Sequence, residues 1–158
     1  MGAPWARQGK GKPRSKNRGE RRTLETMNYR ELVKILDREL SLYVRLYAAS
    51  DNGFVTCVTC GSVHFWKKIT LGHYISRSHH STRWNPHNVA PQCVKCNSFN
   101  GGEQFKMRNY LVNRYGEKEV LKLEAWADMK KTESASSLRE KIIEYRAKVK
   151  QLKFEKGL

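Results

Sequence analysis

No apolar run in the 158 residues approaches the ~20 needed to cross a bilayer. No charged-then-apolar segment opens the chain either, so neither a membrane span nor export is expected. Acidic residues are also scarce: 15 Asp and Glu stand against 31 Lys and Arg, a formal net charge of +16. A field of that sign favours a polyanionic partner, DNA, RNA or an anionic membrane surface. Hydrophobic residues make up only 39%, and the length suits one compact domain with extended arms, not two cores. The expectation is an intracellular, soluble protein that meets nucleic acid.

Cysteine is rare but ordered. Cys57, Cys60, Cys93 and Cys96 are the four present, as two C-x-x-C pairs. In a reducing compartment such pairs are more often metal clamps than disulfides, and two pairs make the four-thiolate set of structural zinc. Two unrelated thiol pairs, or a redox pair, are the alternative. Gly61 and Asn97 follow the pairs and tolerate the left-handed backbone that a tight knuckle needs.

Residues 1–22 hold eight Lys or Arg and one Glu, so this arm carries +7 and leaves +9 for the rest. With almost nothing to bury it is expected to be disordered alone. Its Lys10, Lys12 and Arg14 are candidate phosphate contacts through counterion release, with a solvated tail as the plain alternative. Residues 23–53 read as an N-terminal helical region. From Asn28 to Ala49, Leu32, Leu36, Leu40, Tyr43 and Tyr47 recur at helical spacing. Asp51-Asn52-Gly53 ends that helix with turn chemistry. Residues 54–103 form the expected zinc-bound core, with a hairpin over Phe54–Trp66, a strand over Ile69–Ile75, and loop composition from Arg77 to Gln92. Residues 104–158 read as a helical C-terminal region: one helix over Gln104–Tyr115 stopped by Gly116, one over Lys118–Asp128, and a last over 138–154. The seam Leu138, Ile142, Tyr145, Val149 and Leu152 could pack on the first helix or on a second copy.

The insert between the cysteine pairs carries the chemistry. His73 lies near a strand end, Asn88 follows, and Asn97 adjoins the last cysteine. A nuclease needs a base for the attacking water, a divalent metal for charge on the leaving oxygen, and a rigid frame. A four-thiolate zinc supplies the frame in a small domain.

The run Cys57-x-x-Cys60, Gly72-His73-Tyr74, Arg83-Trp84-Asn85, Asn88 and Gln92-Cys93-x-x-Cys96-Asn97 resembles the NinG (Rap) family of lambdoid phage recombination nucleases, over roughly residues 28–154. More distantly, it is similar to phage endonuclease VII. The resemblance implies an α+β fold: a small zinc-stapled ββα core of the HNH or His-Me finger class, treble-clef-like, flanked by N- and C-terminal helices. It further implies a phage-encoded protein of the host cytoplasm that cuts branched DNA such as Holliday junctions, leaving 5′-phosphate ends. By position, His73 matches the general base, Asn97 a ligand of a catalytic Mg2+ or Mn2+, and Asn88 the middle asparagine that braces the loop. Gly72 departs from the wider class, which often has a ligand there. Glu103 is the favoured replacement, with His79, His80, His87, a backbone carbonyl or the DNA phosphate as alternatives. Asn97 has a plainer use as a helix cap. Arg77 and Arg83 are candidate phosphate contacts, and Trp84 either packs or stacks on an unpaired base. A homodimer would suit symmetrical junction cutting, with the last helix as the contact. Two other functions compete: an HNH nickase for packaging or homing, and a non-catalytic zinc module that binds nucleic acid.

Overall fold

The computed structural model describes residues 23–158. Helix α1 (Tyr29–Ala48) begins at a capping box: the Asn28 side chain accepts from the Glu31 N–H at 3.0 Å, and the Glu31 carboxylate accepts from the Asn28 N–H at 2.8 Å. Its leucines drive the packing. Leu32, Leu36 and Leu40 are buried with Trp84, Val89, Leu138 and Ile142. Nearly two turns further on, Leu46 joins a second cluster around Val55, Trp66, Ile69 and three of the cysteines. Helix α1 therefore spans both halves of the core.

Strands β1 (Phe54–Thr56) and β2 (Val63–Phe65) pair antiparallel, Val55 opposite His64, with the first cysteine pair at their turn. Strands β3 (Thr70–His73) and β4 (Val89–Gln92) form a separate antiparallel ladder, with Gly72 opposite Ala90 and His73 opposite Val89. Strand β4 was expected to be loop, and Pro91 is the reason. Its carbonyl accepts from the Val58 N–H at 3.1 Å on the side away from β3, so the missing proline N–H costs no bond to β3. All four β4 residues are buried.

A π-type turn, Lys95–Phe99, follows β4. Helix α2 (Gln104–Tyr115) ends at Gly116, whose φ of 88° only glycine adopts readily. Helix α3 (Glu117–Ala127) starts there, and helix α4 (Ala135–Lys156) closes the chain from a Ser134 cap. Arg139 on α4 reaches the Leu24 carbonyl and Lys156 the carbonyls of Tyr47 and Ala49, so α1 and α4 run side by side in the same direction. Leu138, Ile142, Tyr145 and Val149 are buried within the chain. That seam packs on α1, the first of its two expected partners, so a dimer contact through α4 would have to use another face of the helix. The architecture is mixed α+β, and among the described residues no helix is long and apolar enough to cross a membrane.

Candidate functional site

The β1–β2 turn and the start of the π-type turn bring the four cysteines together. Their sulfur atoms all lie within 4.8 Å of one another. Cys60 Sγ is 3.8 Å from Cys93 Sγ, and a tetrahedron with ~2.3 Å zinc–sulfur bonds has edges of about 3.8 Å. Backbone N–H groups point at the sulfurs, Cys93 to Cys57 Sγ at 3.3 Å and Cys96 to Cys93 Sγ at 3.5 Å. Burial pushes the Cys57 thiol up, but hydrogen bonds from Thr59 and from backbone N–H groups outweigh it and bring it down. At Cys96 the Thr59 hydroxyl pulls downward, while burial and the sulfurs of Cys60 and Cys93 push upward and win. Crowded thiols that cannot all ionise together behave in this way, and a divalent cation removes the conflict. The cluster could hold a zinc ion.

Beside this clamp an open cleft is lined by His73, Asn97, Arg77 and three residues of α1, Asp37, Ser41 and Arg45. His73 Nε2 lies 3.1 Å from the Arg83 carbonyl oxygen. A carbonyl only accepts, so Nε2 carries the proton and Nδ1 keeps a lone pair. Burial, with the Arg77 and Arg83 charges and against the carbonyl bond and Asp37, lowers the imidazole to about 4. The ring is therefore neutral near pH 7. Asn97 is not spent on a cap. Its Nδ2 donates to Thr70 Oγ1 at 3.0 Å and to the Leu71 carbonyl at 3.2 Å, and Oδ1 has no partner among the described residues. The π-type turn that carries it is a local distortion of a kind frequent at functional sites. Asn88 is fully buried; its Oδ1 accepts from the Ile75 N–H, and its Nδ2 donates to the Ile75 and Thr82 carbonyls. It closes the loop between β3 and β4 from inside.

Several expected residues lie elsewhere. Glu103 faces the cysteine-cluster side with Cys60, His64 and Lys106, accepts from Asn100 Nδ2 at 2.8 Å, and pairs with Lys106 at 3.1 Å. The Asn100 hydrogen bond, then Lys106, holds its carboxyl below the usual range. His79 contacts the Ala127 carbonyl, His80 stacks on Tyr29, and His87 stacks on Tyr115, so none of the three lines the cleft. Arg83 is not a free phosphate contact: its Nε and Nη2 bind both oxygens of Asp37, at 3.0 and 2.6 Å, and its Nη1 reaches the Arg77 carbonyl. Trp84 is buried and donates to Asp37 at 2.8 Å, so it packs and offers no face to a base. Lys10, Lys12 and Arg14 lie outside the described residues.

Gly72 has a steric explanation. A Cβ there would sit 2.0 Å from Oε1 of Gln92, a fully buried side chain whose Nε2 donates to the Gly102 carbonyl at 2.7 Å. The place of a side chain at 72 is taken. Asp37, Ser41 and Arg45 were missed from sequence, although their spacing of four puts them on one face of α1. Asp37 is the carboxylate of the cleft, and Arg83 and Trp84 hold it ionised below its usual range despite burial.

Searches of curated proteins and of solved structures each returned no match. The family model described as Bacteriophage Lambda NinG protein matches residues 5–155. That reach extends into the basic arm, which the resemblance read from sequence had left out. Covering nearly the whole chain, the match shows that this protein belongs to the bacteriophage lambda NinG family.

Proposed function

We propose that this NinG-family chain is a metal-dependent endonuclease of the HNH (His-Me finger) class that cuts branched DNA, with recombination intermediates such as Holliday junctions as substrates. The observation that carries the reading is His73: its Nε2–H is fixed on the Arg83 carbonyl, the neutral ring keeps its lone pair on Nδ1, and the residue lines the cleft with Asn97 and Arg77. The order of strand, strand and helical turn bearing Asn97 agrees with the ββα motif of that class. Nδ1 of His73 takes the proton from water as the water attacks phosphorus in line. Arg77, exposed on the loop at the cleft, receives phosphate charge.

The cleft offers a hard cation one protein oxygen, with the other ligands left to water and phosphate. Oδ1 of Asn97 is a neutral oxygen without a partner among the described residues, and it would hold Mg2+ or Mn2+ together with water and phosphate oxygens. Such an ion supplies charge stabilisation at the departing 3′ oxygen. Products then carry 5′-phosphate and 3′-hydroxyl ends. Branch preference and a place in the host cytoplasm rest on family membership. A homodimer suits paired cuts in a four-way junction, and its contact has to lie outside the covered α4 seam.

One observation favours a second reading. With Gly72 closed off by Gln92, the cleft lacks the ligand that the class often has, as a zinc-stapled binding module without catalysis would. Labelled four-way junction, flap and linear duplex, incubated with magnesium and either wild type or His73→Ala, separate the readings. Junction cutting that falls about 10²–10⁴-fold in the variant, with zinc content unchanged, supports the nuclease. Equal cutting of all three substrates points to a general HNH nickase. Binding without cutting by the wild type leaves the binding module.

A further inference from the structure

We propose that Arg45 is a phosphate anchor on the α1 wall of the cleft, reaching the DNA backbone opposite the strand that carries His73. The inference rests on the nuclease reading and adds a residue that the sequence comparison does not mark. Arg45 is half-buried and lines the cleft with His73 and Asn97. Its Nε donates to the Ser41 carbonyl at 3.0 Å, and Nη1 donates to the carbonyls of Trp66 at 3.2 Å and Ile69 at 3.3 Å. These bonds use three of the five N–H donors, all on neutral acceptors, and leave both hydrogens of Nη2 without a partner among the described residues.

Among the described residues no carboxylate neutralises this charge. Asp37, two turns earlier on the same face, is held bidentate by Arg83. Burial alone acts on the Arg45 guanidinium and disfavours its charged form. A desolvated cation facing only neutral dipoles is costly in the free protein. A residue needed only to tie α1 to the start of β3 would do so without a permanent charge. A phosphate oxygen at Nη2 supplies the missing counter-charge, and the three carbonyl bonds hold the guanidinium in place beforehand.

The test is binding of a labelled four-way junction across a salt series without added divalent metal, for wild type, Arg45→Gln and Arg45→Lys, with thermal melting of each. Arg45→Gln is expected to bind about tenfold more weakly and to lose about 0.9 from the slope of log affinity against log salt. Arg45→Lys should recover the slope and only part of the affinity. Wild-type slope and affinity in a normally melting Arg45→Gln overturn the proposal. Should that variant not fold, modification of wild-type Arg45 by phenylglyoxal, read by peptide mass, decides: protection by DNA supports the anchor, and equal labelling overturns it. A wild type that binds no DNA overturns the nuclease reading itself and this inference with it.

Discussion

The region around the four cysteines and the α1–α4 pair hold their shape by different means. At the cysteine end two short ladders meet, of three and four residue pairs, and the sulfur cluster ties the β1–β2 turn to the segment just after β4. In the helix pair, cohesion comes from a continuous apolar seam, Leu32, Leu36 and Leu40 against Leu138 and Ile142. The cleft takes one wall from each: His73 and Asn97 from the clamped side, Asp37, Ser41 and Arg45 from the helix. A site divided in this way should fail differently depending on which side is damaged.

The largest effect is expected at the clamp. Cys93→Ser should abolish the cooperative melt and release zinc, because thiolate–metal bonding is a large share of folding free energy in such domains. Circular dichroism and metal analysis check this, and a variant with wild-type melting and activity would erase the contrast between the two regions. Leu36→Ala, at a fully buried position of the seam, should cost about 2–5 kcal/mol while the folded protein keeps its zinc. Urea titration with zinc quantification reads both.

Asn88→Ala sits between the regions. Loss of its three buried amide bonds should cost about 1–3 kcal/mol, with a larger proportional loss of cleavage as the loop ending at Arg83 relaxes its hold on His73. Equal cleavage rates would detach that loop from the chemistry.

The smallest effect is a pH dependence. His73 is lowered from the ordinary 6.5 to about 4, so below pH 6.5 the unfolded chain takes up a proton that the folded chain refuses. Its contribution to stability is flat above 6.5 and falls as pH drops toward 4, by at most about 1.4 kcal/mol per unit. His73→Gln should remove that component when urea midpoints at pH 7.5 and 5.0 are compared with wild type. Cleavage should keep its base neutral well below pH 6; a rate that halves near 6.5 would contradict the buried ring.

Much of this was legible in the sequence because it was local. The α2 limits were set by Gly116 and by helical spacing, and the cysteine pairs announced their cluster. What escaped was long-range. Arg83 reads as a free cation until Asp37, far away in sequence, claims it. Glu103 counts as one turn from Asn97, but the π-type turn and its own left-handed backbone, φ 48°, send it to the cysteine-cluster side. Strand β4 hid behind Pro91, and the polar face of α1 was overlooked because its apolar stripe already explained the helix.

The pairing of α1 with α4 also sets a timetable. Leucines of α1 leave the ribosome well before their partners Leu138 and Ile142. Contacts of such separation close slowly. The cysteine cluster, complete once Cys96 has emerged, can draw its metal while the seam is still open. The wall bearing Asp37, Ser41 and Arg45 settles only when α4 arrives, so a chain still lacking α4 carries His73 beside an unfinished cleft.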